Sequence, residues 1–275
     1  MTTTEQTTYD PNTWQLPVAT EHVFAPKRQR YCLVVPVWNE GQRIKNVLTK
    51  LQAHTDKIDI VVIDRGSTDG STDAAYLQSM HVRALLVLGD TGAPPSQIVT
   101  GAQLRLGYAF AMQEGYDAVI TIDGNDKDDV PALPNFIKLL EEGYDFVQAS
   151  RYAPGGKGVN TPWVRDLVIQ YIHVPIVSWL AGFSYTDTTQ GYRAYSRALL
   201  TDPRLAIFRN DFIGYELLVY LSVNAPRKGF RVTETPVTRT YPAKKKAPTK
   251  ITFIKGNLAL LKTLLDVGRK RYDPR

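Results

Sequence analysis

The stretch that decides the fold is residues 117–126, Asp-Ala-Val-Ile-Thr-Ile-Asp-Gly-Asn-Asp, in which an apolar run ends in carboxylates and an amide. Residues 58–64, Ile-Asp-Ile-Val-Val-Ile-Asp, end in the same way and lead into Arg-Gly-Ser-Thr-Asp-Gly. Such apolar runs are typical of parallel strands buried on both faces. The carboxyl ends of these strands share one edge of the sheet, where α/β proteins bind ligands. We therefore expect Asp64 and Asp123 to lie at one site for a polar ligand that contains a nucleotide.

Apolar runs alternate along the chain with segments whose apolar residues recur at helical spacing. This pattern predicts an α/β protein with a mostly parallel, doubly wound sheet and right-handed crossovers. The predicted strands are residues 31–37, 58–64, 84–88, 117–123 and 145–149. The predicted helices are residues 41–53, 102–114 and 131–142, with a short helix after the second strand.

The second half of the chain is less regular. We predict a long apolar helix over 162–182 that bends at Pro175, a polar segment over 187–195 and a helix over 211–224. Residues 230–240 have the alternating pattern of a strand. The resulting organisation is a loose polar lead-in over 1–30, a main domain over 31–240, and a basic loop with an amphipathic C-terminal helix over 241–275.

Composition excludes several classes of protein. The chain of 275 residues has one cysteine, Cys32, so an intrachain disulfide is excluded, and its four histidines lack metal-ligand spacing. The N-terminal residues do not resemble a signal peptide and no segment predicts a clean membrane span, so we expect a cytoplasmic location or peripheral attachment to a membrane.

Charge is distributed unevenly. Residues 225–275 contain 14 Lys and Arg against 3 Asp and Glu, whereas the whole chain has a net charge of +6. This basic segment predicts an anionic partner. Nucleic acid is disfavoured, because no basic motif is interleaved with aromatic residues.

The residues at the two strand ends suit the binding of a nucleotide and a metal ion. Asp64 can accept a hydrogen bond from a base N–H or a ribose hydroxyl. Asp123 and Asn125 can offer oxygen ligands to Mg²⁺ or Mn²⁺, hard cations that bind through carboxylates and phosphate oxygens. A solvated acidic loop would explain one such strand end, but two strand ends favour a site.

At these positions the sequence resembles the family 2 glycosyltransferases. The three motifs that carry the resemblance are Val35-Pro36-Val37-Trp38-Asn39-Glu40, Val62-Ile63-Asp64-Arg65-Gly66-Ser67-Thr68-Asp69-Gly70-Ser71-Thr72 and Ile122-Asp123-Gly124-Asn125-Asp126. Further motifs are similar to the dolichyl-phosphate mannose synthase group, which transfers sugars to polyprenyl phosphates. These are Ala149-Ser150-Arg151-Tyr152, Arg165, Asp187-Thr188-Thr189-Gln190-Gly191-Tyr192-Arg193 and Gly229-Phe230-Arg231-Val232-Thr233-Glu234-Thr235-Pro236-Val237.

The resemblance implies a GT-A catalytic domain, with helices on both faces of the sheet, and a role for particular residues. The donor nucleotide would be bound by Pro36, Asn39, Glu40, Asp64 and Arg105. Asp123 and Asn125 would hold Mg²⁺ or Mn²⁺ at the diphosphate. The acceptor phosphate would be received by Arg151 and Arg165, and the sugar or diphosphate would be lined by Gln190 and Arg193.

Three positions depart from the family's pattern. Arg65 stands where the family has a second acid, which leaves the preferred base open. Asn125 replaces the second acid of the metal motif, and Asp126 could substitute for it. Thr100 lies near the position of a common lysine.

We therefore expect an inverting transferase that moves one sugar from a nucleoside-diphosphate sugar to a polyprenyl phosphate at a membrane surface. One alternative is a family 2 enzyme with a hydroxyl acceptor, for which Asp187 or Glu216 could act as the base. Another is a catalytically silent module that binds nucleotide sugars. Ile254, Leu258, Leu261 and Leu265 form a predicted stripe beside Lys255, Lys262 and Arg269, which would suit an anionic bilayer or, equally, ordinary packing on the core.

Overall fold

The alternation in the sequence corresponds to alternating strands and helices in the computed structural model, which describes residues 10–89, 97–242 and 262–274. The strands are β1 Ala19–Val23, β2 Tyr31–Val37, β3 Ile58–Asp64, β4 Val82–Leu88, β5 Ala118–Thr121, β6 Phe146–Ser150, β7 Lys157–Val159, β8 Arg193–Ser196, β9 Val232–Pro236 and β10 Thr238–Thr240. The α-helices are α1 Gln42–Leu51, α2 Ala74–Ser79, α3 Thr100–Gln113, α4 Leu133–Glu141, α5 Trp163–Val168, α6 Val174–Ala181, α7 Arg197–Leu200 and α8 Glu216–Arg227. A π-helical segment, Ile169–His173, joins α5 to α6, and residues 262–268 are also helical.

Eight strands form one sheet in the order β1-β4-β3-β2-β5-β8-β6-β9, and β10 pairs with β7 in a separate two-stranded sheet. The central strands β4, β3, β2 and β5 are parallel, as are β6 and β9. The predicted fold class, a mostly parallel α/β sheet, is confirmed. This arrangement brings the ends of β2, β3 and β5 to one edge, as expected from the two acidic strand ends.

Alternate residues of each central strand point to opposite faces of the sheet, and both sets are apolar. Helices therefore cover both faces. Leu33 and Val35 of β2 pack in one hydrophobic cluster with residues of α1, α2 and α4. Cys32 and Val34 pack in a second cluster with residues of α3, α6, α7 and α8. All four of these β2 side chains are completely buried. The interior position of Cys32 agrees with its apolar sequence context.

The N-terminal segment differs from the predicted loose lead-in. Residues 19–23 form β1, which pairs antiparallel with β4 at the edge of the sheet. Before it, the ring of Trp14 stacks on Phe208 with the ring centroids 3.9 Å apart. Backbone pairing and aromatic packing therefore fix residues 14–23 to the main domain, even though this segment has no strong apolar alternation.

The polar segment predicted over 187–195 ends in a strand. β8 lies between β5 and β6 and is antiparallel to both. Its partners in the sheet are distant in sequence, so no local pattern indicates its place. The insertion of β8 separates the strands that precede Asp123 and Arg151.

The long helix predicted over 162–182 is present but is interrupted by the π segment that precedes Pro175. In the described part of the chain, no helix has the length and apolar character needed to cross a membrane. Residues 251–261 of the predicted C-terminal helix lie outside the described residues. Within 262–268, Leu264 and Val267 are buried, whereas Leu265 of the predicted stripe is 53% exposed.

We predict that Trp14→Ala lowers the free energy of unfolding by on the order of 2 kcal/mol, because it removes a large apolar surface and an aromatic pair. Denaturant titration would measure the loss. Val18→Ser is a matched control in the same segment, since Val18 is 76% exposed, and it should change the stability by less than about 0.5 kcal/mol. Equal stability of the Trp14→Ala variant and the unaltered protein would show that the segment is not part of the cooperative fold.

Candidate functional site

Asp64 ends β3 and shapes the loop that follows it. Its carboxylate accepts hydrogen bonds from the Ser67 backbone N–H at 3.0 Å, the Ser67 hydroxyl at 2.6 Å and the Thr72 hydroxyl at 2.8 Å. Asp64 is 3% exposed. The carboxylate therefore organises the loop at the strand edge, and its predicted contact with the nucleoside would be additional to these bonds.

Asn39 connects the end of β2 to the same loop. Its backbone N–H donates to the Ser67 hydroxyl at 2.9 Å, and its side-chain oxygen accepts from the Thr68 N–H at 2.8 Å. Asn39 has φ +50°, in the left-handed region that asparagine tolerates better than most residues. The structure thus brings Asn39 and Asp64 together, as predicted.

Pro36 and Glu40 lie at the same strand edge. Pro36 is partly buried within β2, and Glu40 is 8% exposed and forms an ion pair with Arg43 at 2.7 Å. Nearby, the Arg65 guanidinium lies 4.3 Å from the centroid of the Trp38 ring. The four predicted donor residues at the ends of β2 and β3 therefore form one group, with a cation and an aromatic ring beside them.

Gln103 holds these two strand ends together. From α3, its side-chain amide donates to the carbonyl of Val37 at 3.0 Å and to that of Ile63 at 2.9 Å. It is 5% exposed. Gln103 is not among the predicted site residues, although an amide inside an apolar helix is a sequence signal for a buried polar role.

Arg105, predicted to bind the donor, has protein partners elsewhere. Its guanidinium donates to the carbonyl of Phe212 at 3.0 Å, to that of Gln15 at 2.5 Å and to the Asn210 side chain at 3.3 Å. Burial lowers the pKa of Arg105 to about 10. Its contacts join α3 to the N-terminal segment, so the structure does not bring Arg105 together with the other predicted donor residues.

Asp123 lies after β5 in a crowded turn. The Asn125 amide donates to Asp123 Oδ2 at 3.1 Å, and Asn125 Oδ1 accepts from the Lys127 backbone N–H at 3.3 Å. A Cβ atom at Gly191 would lie 2.7 Å from Asp123 Oδ1. Glycine at position 191 therefore leaves room beside this carboxylate, where a side chain would fill the space.

Asp126 does not share this position. Its carboxylate forms an ion pair with Lys50 at 2.6 Å and accepts from Asn46 at 2.9 Å, so it is bound to α1. Asn125, rather than Asp126, therefore lies beside Asp123, with its amide nitrogen on the Asp123 carboxylate and its oxygen on the Lys127 backbone N–H.

A buried arginine that the sequence analysis missed lies at the same carboxylate. Arg239 of β10 is 5% exposed and forms ion pairs with Asp123, at 3.3 Å, and with Asp128. Asp128 also accepts from the Asp123 backbone N–H at 3.0 Å. Although burial lowers the pKa of Arg239, the charges of Asp128 and Asp123 raise it overall. The strand pattern of 230–240 placed Arg239 in the fold but did not indicate its partners.

Several cations surround Tyr241, next to this ion pair. Burial raises the pKa of the Tyr241 hydroxyl, but the guanidinium groups of Arg239, Arg165 and Arg151 outweigh burial and leave the pKa below its ordinary value. Lys127 Nζ lies 5.3 Å from the Tyr241 ring centroid, and burial together with Arg239 lowers the pKa of Lys127. This positive potential favours an anion.

Arg151 and Arg165, both predicted to receive the acceptor phosphate, have different surroundings. Arg151 is completely buried and forms a two-bond ion pair with Asp187, with nitrogen–oxygen distances of 2.7 and 3.2 Å. Arg165 is only partly buried, and its Nε atom is enclosed without a hydrogen-bond partner among residues 10–89, 97–242 and 262–274. Arg165 therefore has an unused donor, whereas the Arg151 guanidinium is largely engaged.

Asp187 is correspondingly ill suited to act as a base. Burial raises its pKa, but Arg151 and a 2.9 Å hydrogen bond from Gln190 outweigh burial, so the pKa lies below its ordinary value. Glu216, the other candidate base, accepts from the Gly214 backbone N–H at 2.6 Å.

Gln190 and Arg193, predicted to line the sugar or diphosphate, are each 1% exposed. Arg193 donates to the carbonyls of Gln190, Leu218 and Thr188 at 2.8, 2.8 and 3.0 Å. The structure therefore places Arg193 in a buried network that includes the Gln190 carbonyl. Gln190 precedes Gly191, the residue beside Asp123.

His173 ends the π segment and contacts the segment that contains Thr188. Its Nδ1 lies 2.7 Å from the Thr188 hydroxyl, and its Nε2 is buried with no partner in the described parts of the chain. Burial lowers the pKa of His173 to about 4. The ring is therefore neutral at pH 7.

The sequence is similar to those of known proteins. Residues 32–81 match the model of glycosyl transferase family 2. The chain is 29% identical over 213 residues to the polyprenol monophosphomannose synthase of Mycolicibacterium smegmatis, covering 77% of this chain and 78% of the relative. The chain is a glycosyltransferase with a family 2 domain.

Two further relatives extend the match. The undecaprenyl-phosphate mannosyltransferase of Micrococcus luteus is 27% identical over 217 residues, covering 76% of this glycosyltransferase and 83% of the relative. The dolichyl-phosphate hexose transferase of Haloferax volcanii is 28% identical over 242 residues, covering 86% and 92%.

A solved structure with the same fold is glucosyl-3-phosphoglycerate synthase from Mycobacterium tuberculosis in complex with UDP. Its TM-score is 0.62 at 18% identity, and the alignment covers 90% of the glycosyltransferase and 82% of the solved chain. The same enzyme with Mn²⁺ and UDP-glucose has a TM-score of 0.63 at 20% identity, covering 90% and 80%.

We predict that His173 makes stability depend on pH between about 6.5 and about 4. Because the folded pKa is depressed, the unfolded chain binds a proton that the folded chain cannot, so folding stability falls as pH drops through this range. Denaturant titrations of the unaltered protein and His173→Asn at several pH values would isolate the effect. The stability advantage of the unaltered protein should be constant above pH ~7.5 and shrink towards pH ~4. An advantage that stays constant down to pH ~4 would contradict this assignment.

Proposed function

We propose that this glycosyltransferase moves a single sugar from a nucleoside-diphosphate sugar to a polyprenyl phosphate, with inversion at the anomeric carbon. The observation that carries the proposal is the cationic group around Tyr241, in which Arg165 keeps an unused buried donor and Arg239 contacts Asp123. The relatives support the acceptor class, because their names describe transfer to polyprenol, undecaprenyl phosphate or dolichyl phosphate.

The donor half of the site is the edge formed by β2, β3 and β5. We assign the nucleoside to the group Pro36, Asn39, Glu40 and Asp64, and the diphosphate to the turn at Asp123. The chain supports this order because β2 lies between β3 and β5 in the sheet. A nucleotide that lies across these strand ends would direct its phosphates towards Asp123 and the cations beyond it.

Asp123 and Asn125 would be too few ligands for a divalent metal, so the diphosphate of the nucleotide sugar would have to supply further oxygen ligands. Over residues 10–89, 97–242 and 262–274, no group of three or more His, Cys, Asp or Glu could hold a metal ion. Mg²⁺ needs few protein ligands, because it binds through one or two carboxylates together with substrate phosphates. Asp123 and the space left by Gly191 suit such an ion, which would neutralise charge on the leaving diphosphate. Asn125 Oδ1 would join the ion in place of its hydrogen bond from the Lys127 N–H.

The acceptor half requires positive charge rather than a base. A lipid phosphate is already ionised at pH 7, so its oxygen can attack the anomeric carbon without losing a proton. The bond from that carbon to the diphosphate breaks, and the leaving nucleoside diphosphate takes the electron pair. Arg165 suits the incoming phosphate because guanidinium groups match phosphate geometry. We assign Arg151 a positioning role through Asp187.

This arrangement disfavours a hydroxyl acceptor. Such an acceptor would require a carboxylate base, but Asp187 is buried in its ion pair with Arg151 and Glu216 is bonded to Gly214. A lipid acceptor also implies work at a membrane surface, so we propose peripheral attachment on the cytoplasmic side.

We predict that Asp123→Asn lowers the rate of transfer by on the order of 100-fold, because it removes the negative charge that would bind the metal at the diphosphate. Radiolabelled sugar transfer at saturating metal would measure the loss, and thermal unfolding would confirm that the variant folds. Asp126→Asn is the matched control, since Asp126 lies in the same turn but is bound to Lys50 and Asn46. Full activity of Asp123→Asn would remove the role that we assign to this carboxylate.

Arg165→Gln and Arg151→Gln should have different effects. Arg165→Gln should reduce kcat/KM for a polyprenyl phosphate roughly 10- to 100-fold with little change in stability, because a charge-assisted hydrogen bond contributes about 1.5–3 kcal/mol. Arg151→Gln should lower the free energy of unfolding by about 3–5 kcal/mol, because it leaves Asp187 buried without its partner.

Kinetics and denaturant titration on the same preparations would separate these effects. Arg204→Gln is a control, because Arg204 is exposed and pairs with Asp202 at the surface. If Arg165→Gln retains full kcat/KM for the lipid phosphate, Arg165 does not receive the acceptor.

A donor and acceptor screen tests the proposed function itself. Purified protein would be given GDP-mannose, UDP-glucose or UDP-N-acetylglucosamine with a polyprenyl phosphate and Mg²⁺ or Mn²⁺, with EDTA as a control. Metal-dependent sugar label in the lipid fraction supports the proposal. Nucleotide release only with soluble hydroxyl acceptors, or nucleotide binding without any turnover, would overturn it.

A further inference from the structure

The helical stretch from α5 through the π segment to α6, residues 163–181, exposes large apolar side chains on one side. The exposed fractions are 72% for Trp163, 45% for Leu167, 72% for Tyr171, 46% for Ile172 and 82% for Trp179. No exposed residue of this stretch is Asp, Glu, Lys or Arg. Single exposed apolar residues are ordinary, but an uncharged group of this size on one helical stretch indicates an interaction surface. We call it the outer apolar face.

The π segment aligns these residues. In a uniform α-helix, each residue is displaced by about 40° around the axis from the residue four positions earlier. Five residues at this spacing would therefore spiral around the helix and would not share one side. A π turn contains more residues per turn and reverses part of this drift. As a result, the exposed positions 163, 167, 171, 175 and 179 remain on one side of the stretch. The buried positions 169, 173, 177 and 181 follow the same spacing on the side that packs against the protein.

The same stretch borders the proposed acceptor site. Arg165 lies two residues after Trp163, and its charge acts on Tyr241 and Lys127. His173, on the buried side, contacts Thr188. The outer apolar face and the proposed phosphate ligand are therefore carried by a single helical stretch.

A helix that carries exposed cations packs against α6. Residues 262–268 approach α6, since a Cβ atom at Gly268 would lie 3.1 Å from the Leu180 side chain. The exposed residues of this neighbouring helix include Lys262 and Leu265, and Arg269 follows its end. Exposed apolar residues flanked by cations are complementary to the interface of a bilayer with anionic head groups.

We propose that the outer apolar face docks on an anionic phospholipid bilayer and places the acceptor site at the level of the lipid head groups. Tryptophan and tyrosine are suited to this position because each combines an apolar ring with a polar group that stays hydrated. The link to the acceptor rests on the proposed function, whereas the docking itself does not. The C-terminal helix then contributes flanking charge, and residues 163–181 contribute most of the described apolar contact.

The first test is vesicle binding by the full chain. The probes are phosphatidylcholine vesicles without phosphatidylglycerol and vesicles with about 30% phosphatidylglycerol, which gives an anionic surface. The variant L167Q/Y171Q/W179Q leaves Trp163 intact because of its proximity to Arg165. Its affinity for anionic vesicles should fall at least ~10-fold. V18Q/V23Q, which alters two other exposed apolar residues, should bind like the unaltered protein.

The second test compares two acceptors that differ only in how they are presented. With a long-chain polyprenyl phosphate in vesicles, the triple variant should lose at least ~10-fold in transfer rate, because it no longer docks. With a short, water-soluble prenyl phosphate, its rate should stay within about twofold of the unaltered protein. Equal losses with both acceptors would overturn the proposal, because the residues would then affect the site or the fold.

Other outcomes separate this inference from the proposed function. If the unaltered protein transfers sugar to neither acceptor but binds anionic vesicles through the outer apolar face, the proposed function fails and the docking surface stands. Undiminished vesicle binding by the triple variant would overturn the docking surface and leave the function untouched. If sedimentation shows a dimer that the triple variant dissociates, a second copy of the chain covers this face and the bilayer proposal is wrong.

Discussion

The guanidinium of Arg239 lies between the carboxylates of Asp123 and Asp128, buried from solvent. Burying charges is unfavourable unless they are paired and hydrogen-bonded, and removing one partner leaves an uncompensated charge. The pairing therefore fixes β10 against the turn that follows β5. Through β10 it also fixes Tyr241, so the cationic group and the turn at Asp123 are held as one unit. The arrangement of both proposed substrates depends on this contact.

Other polar side chains at the site serve mainly to position their neighbours. Asp64 bonds Ser67 and Thr72, and Gln103 joins the ends of β2 and β3. The carbonyl of Val37 also accepts from the backbone N–H of Arg65, so backbone and side-chain bonds together join the two strand ends. The edge is therefore already joined by hydrogen bonds in the structure without a ligand, and such preorganisation reduces the ordering that binding requires.

The balance of charge explains why Arg165 differs from Arg151. Arg151 is neutralised by Asp187, so it adds little net attraction for a phosphate. Arg165 has no such carboxylate partner in the described ranges and retains an unused Nε donor. It lies on the helical stretch whose opposite side is apolar and exposed. A single element thus connects the interior of the site to the surface where a lipid could approach.

The sequence by itself determined the central strands and the helices that cover them, because buried parallel strands and amphipathic helices leave strong local patterns. It also predicted that Asp64 and Asp123 share an edge, since the ends of parallel strands must meet there. It could not place β1 or β8, whose pairing partners are distant in the chain and whose own patterns are weak.

Only the tertiary structure decided which arginines are available, because the availability of a guanidinium depends on carboxylates and carbonyls brought close by folding. Arg105 and Arg193 bind backbone carbonyls, and Arg239 acquires Asp123 and Asp128 from a turn more than a hundred residues earlier. The exposure of Trp179 and Leu265 was decided in the same way, by how each helix packs on its neighbours.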